Sequence, residues 1–140
     1  MSQFEMDLRG EKRAIRVVAA VLEKDGCYLI TQRRESAVLP LLWEFPGGRV
    51  EDHEEDAEAL RRELFHRLNV EISVGSLISF ISHPYDHYMV DLYLYSCELT
   101  RGPLQAKNVH AFRWVCSDEF DHVPFTPADQ ASMNQLLSLT

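Results

Sequence analysis

The stretch from Trp43 to Val70 constrains the fold of this chain most, because strand, glycine turn, acidic loop and helix signals follow one another in it. Residues 43–45 predict a short strand that Pro46 and the pair Gly47-Gly48 end in a turn. Carboxylates then crowd the start of a charged helix, where the helix dipole favours negative charge. This order of elements is expected of a site that handles a cation and a phosphate chain.

The helix of this stretch is predicted to begin near Glu54 or Glu55 and to end near Asn69, a residue type that tolerates the left-handed C-cap conformation. Its core-facing residues recur at helical spacing. They are Ala57, Leu60, Leu64 and Leu68.

Strands are predicted on both sides of this helix. Residues 14–22 are apolar and β-branched, and a turn at residues 24–26 leads into CYLITQR, which together predict a β-hairpin with a buried first strand. Further strands are predicted at residues 71–82, with a bulge at Gly75-Ser76, at 89–99 as a central strand, and at 111–116.

The chain ends in a second predicted helix. Thr126 is a good N-cap residue, Pro127 is favoured at the first helical position, and Asp129 falls at the third. Strands around one helix, followed by another helix, predict an α/β fold in which a mixed β-sheet is sandwiched by helices.

Length and charge narrow the classes of function. The 140 residues are enough for one domain spanning residues 1–140, of which 1–12 form a polar N-terminal arm. A net charge of −8 argues against binding a nucleic-acid polymer, and no apolar run is long enough for a membrane span. The N-terminus has no apolar signal core, so a cytoplasmic location is expected. Three cysteines without close pairing predict buried fillers, not a disulfide framework.

Gly48, Glu54, Arg62-Glu63-Leu64 and Val70 stand at the spacing of a known motif. The chain resembles the Nudix superfamily, whose signature is G-x5-E-x7-R-E-U-x-E-E-x-G-U, where U is an aliphatic residue. Its pattern is most similar to the CTP pyrophosphohydrolase, MutT-like branch, through segments 42–45, 102–106 and 126–129. The resemblance implies a Nudix α/β/α sandwich and a metal-dependent hydrolase that converts a nucleoside triphosphate to monophosphate and pyrophosphate.

Four positions depart from the family pattern. His66 and Arg67 stand where the family has two metal-binding glutamates, Asn69 replaces a glycine, and our alignment places Asn108 at another acidic position. Positions 63, 66 and 67 share an arc of about 100° on a helix, so three carboxylates there would converge on one cation. A fixed guanidinium about 5 Å from a divalent cation costs about 6–7 kcal/mol at an effective dielectric constant of about 20. The sequence therefore predicts a degenerate active site.

The resemblance also implies roles for individual residues. It assigns catalysis to Glu63, Arg62 and Glu54, and base recognition to Asp129, since a carboxylate accepts a hydrogen bond from the cytosine amine. The substrate-binding residues that we infer are Arg67, Asp129, Gly47, Gly48 and Phe45, with Tyr85 or Phe80 as candidates for stacking on a base. Glu63 is the candidate metal ligand, and the weaker candidates are Glu51, Glu55, Glu58 and His66.

Structural alternatives stand beside these roles. Glu54 and Arg62 are expected to form an ion pair that orients the loop against the helix. Glu63 could act as a metal ligand or general base, and it is equally well placed to pair with Arg67 one helical turn further on. Arg67 could instead replace the metal and bind phosphate directly, since guanidinium makes bidentate contacts with phosphate oxygens. Asp129 at the third helical position is also expected to complete a helix cap.

Three functional hypotheses follow. The residue chemistry favours a protein that binds a small-molecule nucleotide, namely a nucleoside triphosphate or a related nucleoside diphosphate derivative, with weak or no turnover. Its cofactor is Mg²⁺ or Mn²⁺ if it is active, and none if it only binds. The alternatives are an active pyrophosphohydrolase for CTP or a modified dNTP, with Mg²⁺ or Mn²⁺ held by recruited carboxylates, and a non-catalytic interaction scaffold. Neither a nucleic-acid polymer nor a membrane is an expected partner, whereas a homodimer is compatible with the fold.

Overall fold

Eight strands, two α-helices and a 3-10 helix make up residues 13–138, the part of the chain that the computed structural model describes. The polar arm predicted for residues 1–12 lies outside the described residues. The strands are β1 (Arg13–Val21), β2 (Glu23–Lys24), β3 (Cys27–Gln32), β4 (Trp43–Glu44), β5 (Gly47–Arg49), β6 (Glu71–Pro84), β7 (Tyr88–Arg101) and β8 (Ala111–Cys116). The helices are α1 (Asp56–Leu68) and α2 (Pro127–Ser138), and the 3-10 helix is Ser117–His122. Within residues 13–138, neither α-helix is long and apolar enough to cross a membrane.

The first sheet is mixed and has the strand order β5-β1-β7-β6. Strand β1 runs parallel to β7 over its whole length, whereas β5 and β6 are antiparallel to their neighbours. The parallel pair requires a long crossover, and α1 lies within that connection. Strand β7 is central in this sheet, as predicted.

The second sheet is antiparallel and is built around β3. Strand β8 pairs with β3 along one edge, while β2 and β4 pair with its two ends on the other. The predicted hairpin is thus only partly correct. Its turn at Asp25-Gly26 joins β3 to the two-residue β2, whereas β1 lies in the other sheet between β5 and β7.

Both sheets are covered by a helix on each face. Alternate residues of β1 point to opposite sides, so that Val18 and Ala20 belong to the core cluster that includes α1, while Ala19 and Val21 belong to the cluster that includes α2. In strand β3, Leu29 likewise belongs to the cluster that includes α1, and Ile30 to the cluster that includes α2. The predicted α/β/α sandwich with a mixed sheet is therefore confirmed.

The capping residues in the sequence correctly predicted the ends of α1 and the start of α2. Helix α1 follows Glu55 as its N-cap, and Asn69 caps its other end with φ of 62°, in the left-handed region. The α1 stripe was wrong at one position, since Ala59 is buried where Ala57 was expected. Helix α2 begins at Pro127, and the Asp129 backbone N–H donates to Thr126 Oγ1 at 3.3 Å.

Two sequence predictions were wrong, one for Gly47 and Gly48 and one for two of the cysteines. Gly47 and Gly48 lie in strand β5 and do not form a turn. A Cβ at Gly47 would lie 2.0 Å from the Val18 carbonyl oxygen, so this close pairing of β5 with β1 requires glycine. Cys27 and Cys116 face each other across β3 and β8 and form a disulfide, although the sequence predicted none.

Candidate functional site

Strand β5 and helix α1 bring Glu63 against a backbone that has no side chain. A Cβ built on Gly48 would lie 1.6 Å from Glu63 Oε2, so the glycine leaves the space that the carboxylate occupies. The Glu63 residue is 7% exposed. The glycine of the motif is thus explained by the position of the glutamate.

Both carboxylate oxygens of Glu63 accept hydrogen bonds from guanidinium groups. Arg62 Nη1 donates to Oε1 at 2.8 Å, and Arg67 Nε donates to Oε2 at 2.9 Å. Such charge-assisted hydrogen bonds are the stronger kind in proteins. Both carboxylate oxygens of Glu63 are therefore engaged within the protein.

The predicted ion pair between Arg62 and Glu54 is present and is bidentate. Arg62 Nε and Nη2 donate to the Glu54 carboxylate at 2.7 and 2.9 Å, and Nη2 also donates to the Arg49 carbonyl oxygen. The hydrogen bond from Arg62 lowers the pKa of Glu54 to about 2. This network ties the acidic loop and the end of β5 to α1.

Asn108 makes a helix-capping contact. Its Nδ2 donates to the His66 carbonyl oxygen at 2.7 Å, and the backbone N–H groups of Lys107 and Asn108 both donate to the Arg67 carbonyl oxygen. These bonds satisfy carbonyls in the last turn of α1. A carboxylate at position 108 would repel the same carbonyl, so an amide suits this contact.

The motif positions that accompany Glu63 do not fit a divalent cation. Position 66 offers an imidazole, position 67 a guanidinium that already donates to Glu63, and position 108 an amide N–H that donates to the helix. Hard cations such as magnesium need oxygen ligands. Among residues 13–138, one group of three metal-ligating side chains clusters elsewhere, namely Cys116, Asp118 and Glu119, and Cys116 is bonded to Cys27.

The candidate substitute ligands do not all reach the site. Glu51 lines a cavity of about 540 Å³ beside Glu63, together with Asp52, which the sequence analysis missed. Glu55 and Glu58 instead form a reciprocal capping box at the start of α1 and do not line this cavity. The expectation that Glu55 and Glu58 replace the missing ligands therefore finds no support in the described site.

The predicted substrate-binding residues come together. A cavity of about 200 Å³ is lined by the whole set, namely Phe45, Gly47, Gly48, Arg67 and Asp129. Phe45 is only 2% exposed, so its ring supports the cavity wall from within the core.

Two further residues of this cavity were missed. They are Arg33 and Glu44, whose side chains form an ion pair at 3.1 Å. Burial raises the pKa of Glu44, against the opposing effect of Arg33. The adjacent basic residues 33 and 34 directly after β3 were the available sequence signal.

Asp129 is buried where a third cavity adjoins the second. Its Oδ1 accepts the Phe45 backbone N–H at 2.9 Å, and its Oδ2 accepts the Thr126 hydroxyl. Burial, reinforced by the nearby Glu44, raises the pKa of Asp129 to about 7. Asp129 thus holds the cap of α2 and the end of β4 together while also lining the cavity.

The third cavity, of about 110 Å³, has aromatic and apolar walls. Tyr85 and Tyr88 stack with ring centroids 5.3 Å apart, and both line this cavity with Asp129. The Tyr85 hydroxyl accepts the Ala128 backbone N–H. Phe80, the other stacking candidate, packs on Tyr93 and does not line the cavity.

Comparison with known proteins gives a consistent result. The family model of the NUDIX domain matches residues 17–135. The chain is 33% identical over 127 residues to the CTP pyrophosphohydrolase of Escherichia coli (strain K12), covering 91% of this chain and 94% of that protein. It is 27% identical over 109 residues to an 8-oxo-dGTP diphosphatase of Buchnera aphidicola subsp. Schizaphis graminum, covering 78% and 82%.

Solved structures agree. The solution structure of the E. coli ORF135 protein matches with a TM-score of 0.77 and 32% identity, over 91% of each chain. The crystal structure of a MutT protein from Methanosarcina mazei Go1 matches with a TM-score of 0.80 over 91% of this chain and 95% of that one. At 18% identity, the second comparison supports the fold alone.

Proposed function

This chain belongs to the NUDIX family, and from that premise we propose that it binds a nucleoside triphosphate with little or no turnover, using Arg67 in place of a metal. Relatives of the chain include a CTP pyrophosphohydrolase and 8-oxo-dGTP diphosphatases. Proteins of this family generally use divalent metal ions. The proposed function thus keeps a nucleotide as the ligand, as in these relatives, but does not use a divalent metal ion to bind it.

The observation that carries the proposal is the double engagement of Glu63. Arg62 and Arg67 each hold one oxygen of this carboxylate. A divalent cation would have to displace Arg67 and then lie close to its positive charge, which is costly at short distance. Arg67 also lines the cavity beside Gly47 and Gly48, where its guanidinium is placed to contact a phosphate group.

The aromatic cavity provides the complementary end for the base. Tyr85 offers an aromatic ring, and the Asp129 carboxyl offers oxygens to an exocyclic amine such as that of cytosine. Cytidine and modified purine nucleotides are therefore the first ligands to test.

A second candidate function is hydrolysis with recruited carboxylates. It is favoured by Glu51, whose carboxylate lines the same cavity as Glu63 and lies 4.0 Å from Arg62. For Glu63 to bind Mg²⁺ or Mn²⁺ in such a reaction, the Arg67 side chain would have to move away from the Glu63 carboxylate.

Pyrophosphate release separates the two candidates. We expect the native protein to release little pyrophosphate from CTP, 8-oxo-dGTP and related nucleotides with Mg²⁺ or Mn²⁺. We expect activity to rise in the double variant His66→Glu, Arg67→Glu, and further when Asn108→Glu is added. Native turnover of about 1 s⁻¹ or more would overturn the proposal in favour of hydrolysis.

Calorimetry without metal tests binding directly. In EDTA, native protein should bind CTP, and Arg67→Ala should weaken binding about tenfold or more because Glu63 is then left to repel the phosphates. Arg61→Ala is the matched control, since Arg61 is an exposed arginine of α1 that does not line the substrate cavity. No nucleotide binding under any condition would instead favour an interaction scaffold.

A further inference from the structure

Two further cavities, which we call branches, share Arg67 as a lining residue with the cavity at Gly47 and Gly48. The larger branch, of about 540 Å³, is also lined by Glu51 and Glu63. The smaller branch, of about 240 Å³, is also lined by Arg34 and His66. Because Arg67 borders all three cavities, a phosphate group bound at the glycines would lie next to both branches.

The two branches differ in charge. The larger one is lined by three arginines and by three carboxylates, which are Glu51, Asp52 and Glu63. The smaller one is lined by three arginines and by no carboxylate. Without a cation to neutralise the carboxylates, a polyphosphate is attracted to the smaller branch and repelled by the acidic groups of the larger one.

The arginine and histidine side chains of the smaller branch fall into two kinds. Arg33 and Arg67 are held in place by ion pairs with Glu44 and Glu63. Across residues 13–138, the side chains of Arg34 and His66 make no hydrogen bond or ion pair, and both are exposed. Two guanidinium groups in ion pairs and two side chains without such partners thus line one small cavity, an arrangement suited to binding an anion.

We propose that this branch, formed by Arg33, Arg34, His66 and Arg67, is a metal-independent site for the terminal phosphate of an intact nucleoside triphosphate. The site selects ligands by phosphate-chain length, because a monophosphate that reaches only the glycines does not extend past Arg67. The inference rests on the proposed metal-independent binding of a nucleotide, and it adds where the chain ends and which side chains hold it.

The test is a chain-length series measured by calorimetry in EDTA. CTP should bind native protein at least tenfold more tightly than CMP, with CDP between them, and inorganic tripolyphosphate should compete with CTP. Arg34→Ala should weaken CTP binding about tenfold and leave CMP binding unchanged. His66→Ala should weaken CTP binding severalfold, and Arg61→Ala should leave the whole series as in native protein.

The outcomes distinguish this inference from the function on which it rests. Equal affinity for CTP and CMP in EDTA, or CTP binding that Arg34→Ala does not weaken, would overturn the terminal-phosphate site while metal-free nucleotide binding stands. A failure of tripolyphosphate to compete would also overturn it. If no nucleotide binds without a metal, both fail together. Arg34 is exposed and has no partner among the described side chains, so its variant is expected to fold, which circular dichroism verifies.

Discussion

At residue 67 one guanidinium determines what the neighbouring carboxylate can do. Arg67 and Arg62 together donate to both oxygens of Glu63, and Gly48 leaves the space that this carboxylate occupies. Because Glu63 is buried, removal of one arginine would leave one carboxylate oxygen of Glu63 without its charged partner, which is unfavourable in the folded protein. A cation at Glu63 would therefore have to compete with two guanidinium groups.

Asp129 gives the protein a pH dependence of stability. Burial raises the pKa of Asp129 in the folded protein to about 7, above its unfolded value of about 4. The folded state therefore binds more protons than the unfolded state between these pH values, and the free energy of unfolding falls as pH rises through that window. We expect a loss on the order of 2 kcal/mol between pH 5 and pH 8, measured by urea unfolding.

The matched variant for this prediction is Asp129→Asn. The amide keeps the shape and can accept the Phe45 N–H, but it does not titrate. Its unfolding free energy should change less with pH than that of the native protein. Parallel pH profiles for the two proteins would show that Asp129 is not the group responsible.

At the scale of elements, helix α1 ends in a way that depends on one residue and one long-range contact. Asn69 adopts φ of 62°, and its N–H donates to the Phe65 carbonyl oxygen. Asn108 supplies the second contact through the His66 carbonyl oxygen. Together they fix the turn of α1 that carries His66 and Arg67.

We expect Asn69→Ala to destabilise the protein by about 1 kcal/mol, because a Cβ without a polar side chain is unfavourable in the left-handed region. Asn69→Gly at the same position should be neutral within about 0.5 kcal/mol. Urea unfolding of both variants tests the cap. Equal destabilisation by alanine and glycine would point to a lost side-chain contact and not to backbone conformation.

At the scale of the whole molecule, a disulfide connects the start of β3 to the end of β8. Cys27 and Cys116 are 89 residues apart in sequence, and their Cα atoms are 4.0 Å apart. The bond therefore encloses α1 and three strands of the first sheet, β5, β6 and β7, within one covalent loop, while β1 lies outside it. Closing a long loop reduces the entropy of the unfolded chain most, at least in the chain-entropy account.

Reduction of this bond should lower the free energy of unfolding by about 2–4 kcal/mol. Guanidinium unfolding with and without dithiothreitol measures the difference. The double variant Cys27→Ser, Cys116→Ser serves as the control, because reductant should have no effect on its unfolding. Identical native curves in both conditions would mean that the two cysteines are thiols in the folded protein.

Local patterns predicted much of this fold. The ends of α1, the start of α2 and the bounds of β8 depend on capping residues and hydrophobic period, which neighbouring residues determine. The ion pair of Glu54 with Arg62 follows from the same helix and the loop beside it. Residues near one another in sequence were therefore predicted with few errors.

Contacts between distant segments were not predictable in this way. The pairing of β1 with β5 and β7, and the meeting of Cys27 with Cys116, depend on strand register, which no local pattern specifies. The ion pair of Arg33 with Glu44 and the contact of Asn108 with α1 likewise join separate segments of the chain, which only the packed fold brings together.

The sequence alone determined the family, the α/β/α class and the absence of carboxylates at positions 66, 67 and 108. These properties depend on residue type and spacing along the chain. The tertiary structure alone decided that Arg67 pairs with Glu63, that Asn108 caps α1, and that a branch lined by arginines opens beside them. The physical reason is that charge acts through space, so the character of the site depends on which side chains the fold places within a few ångströms of one another.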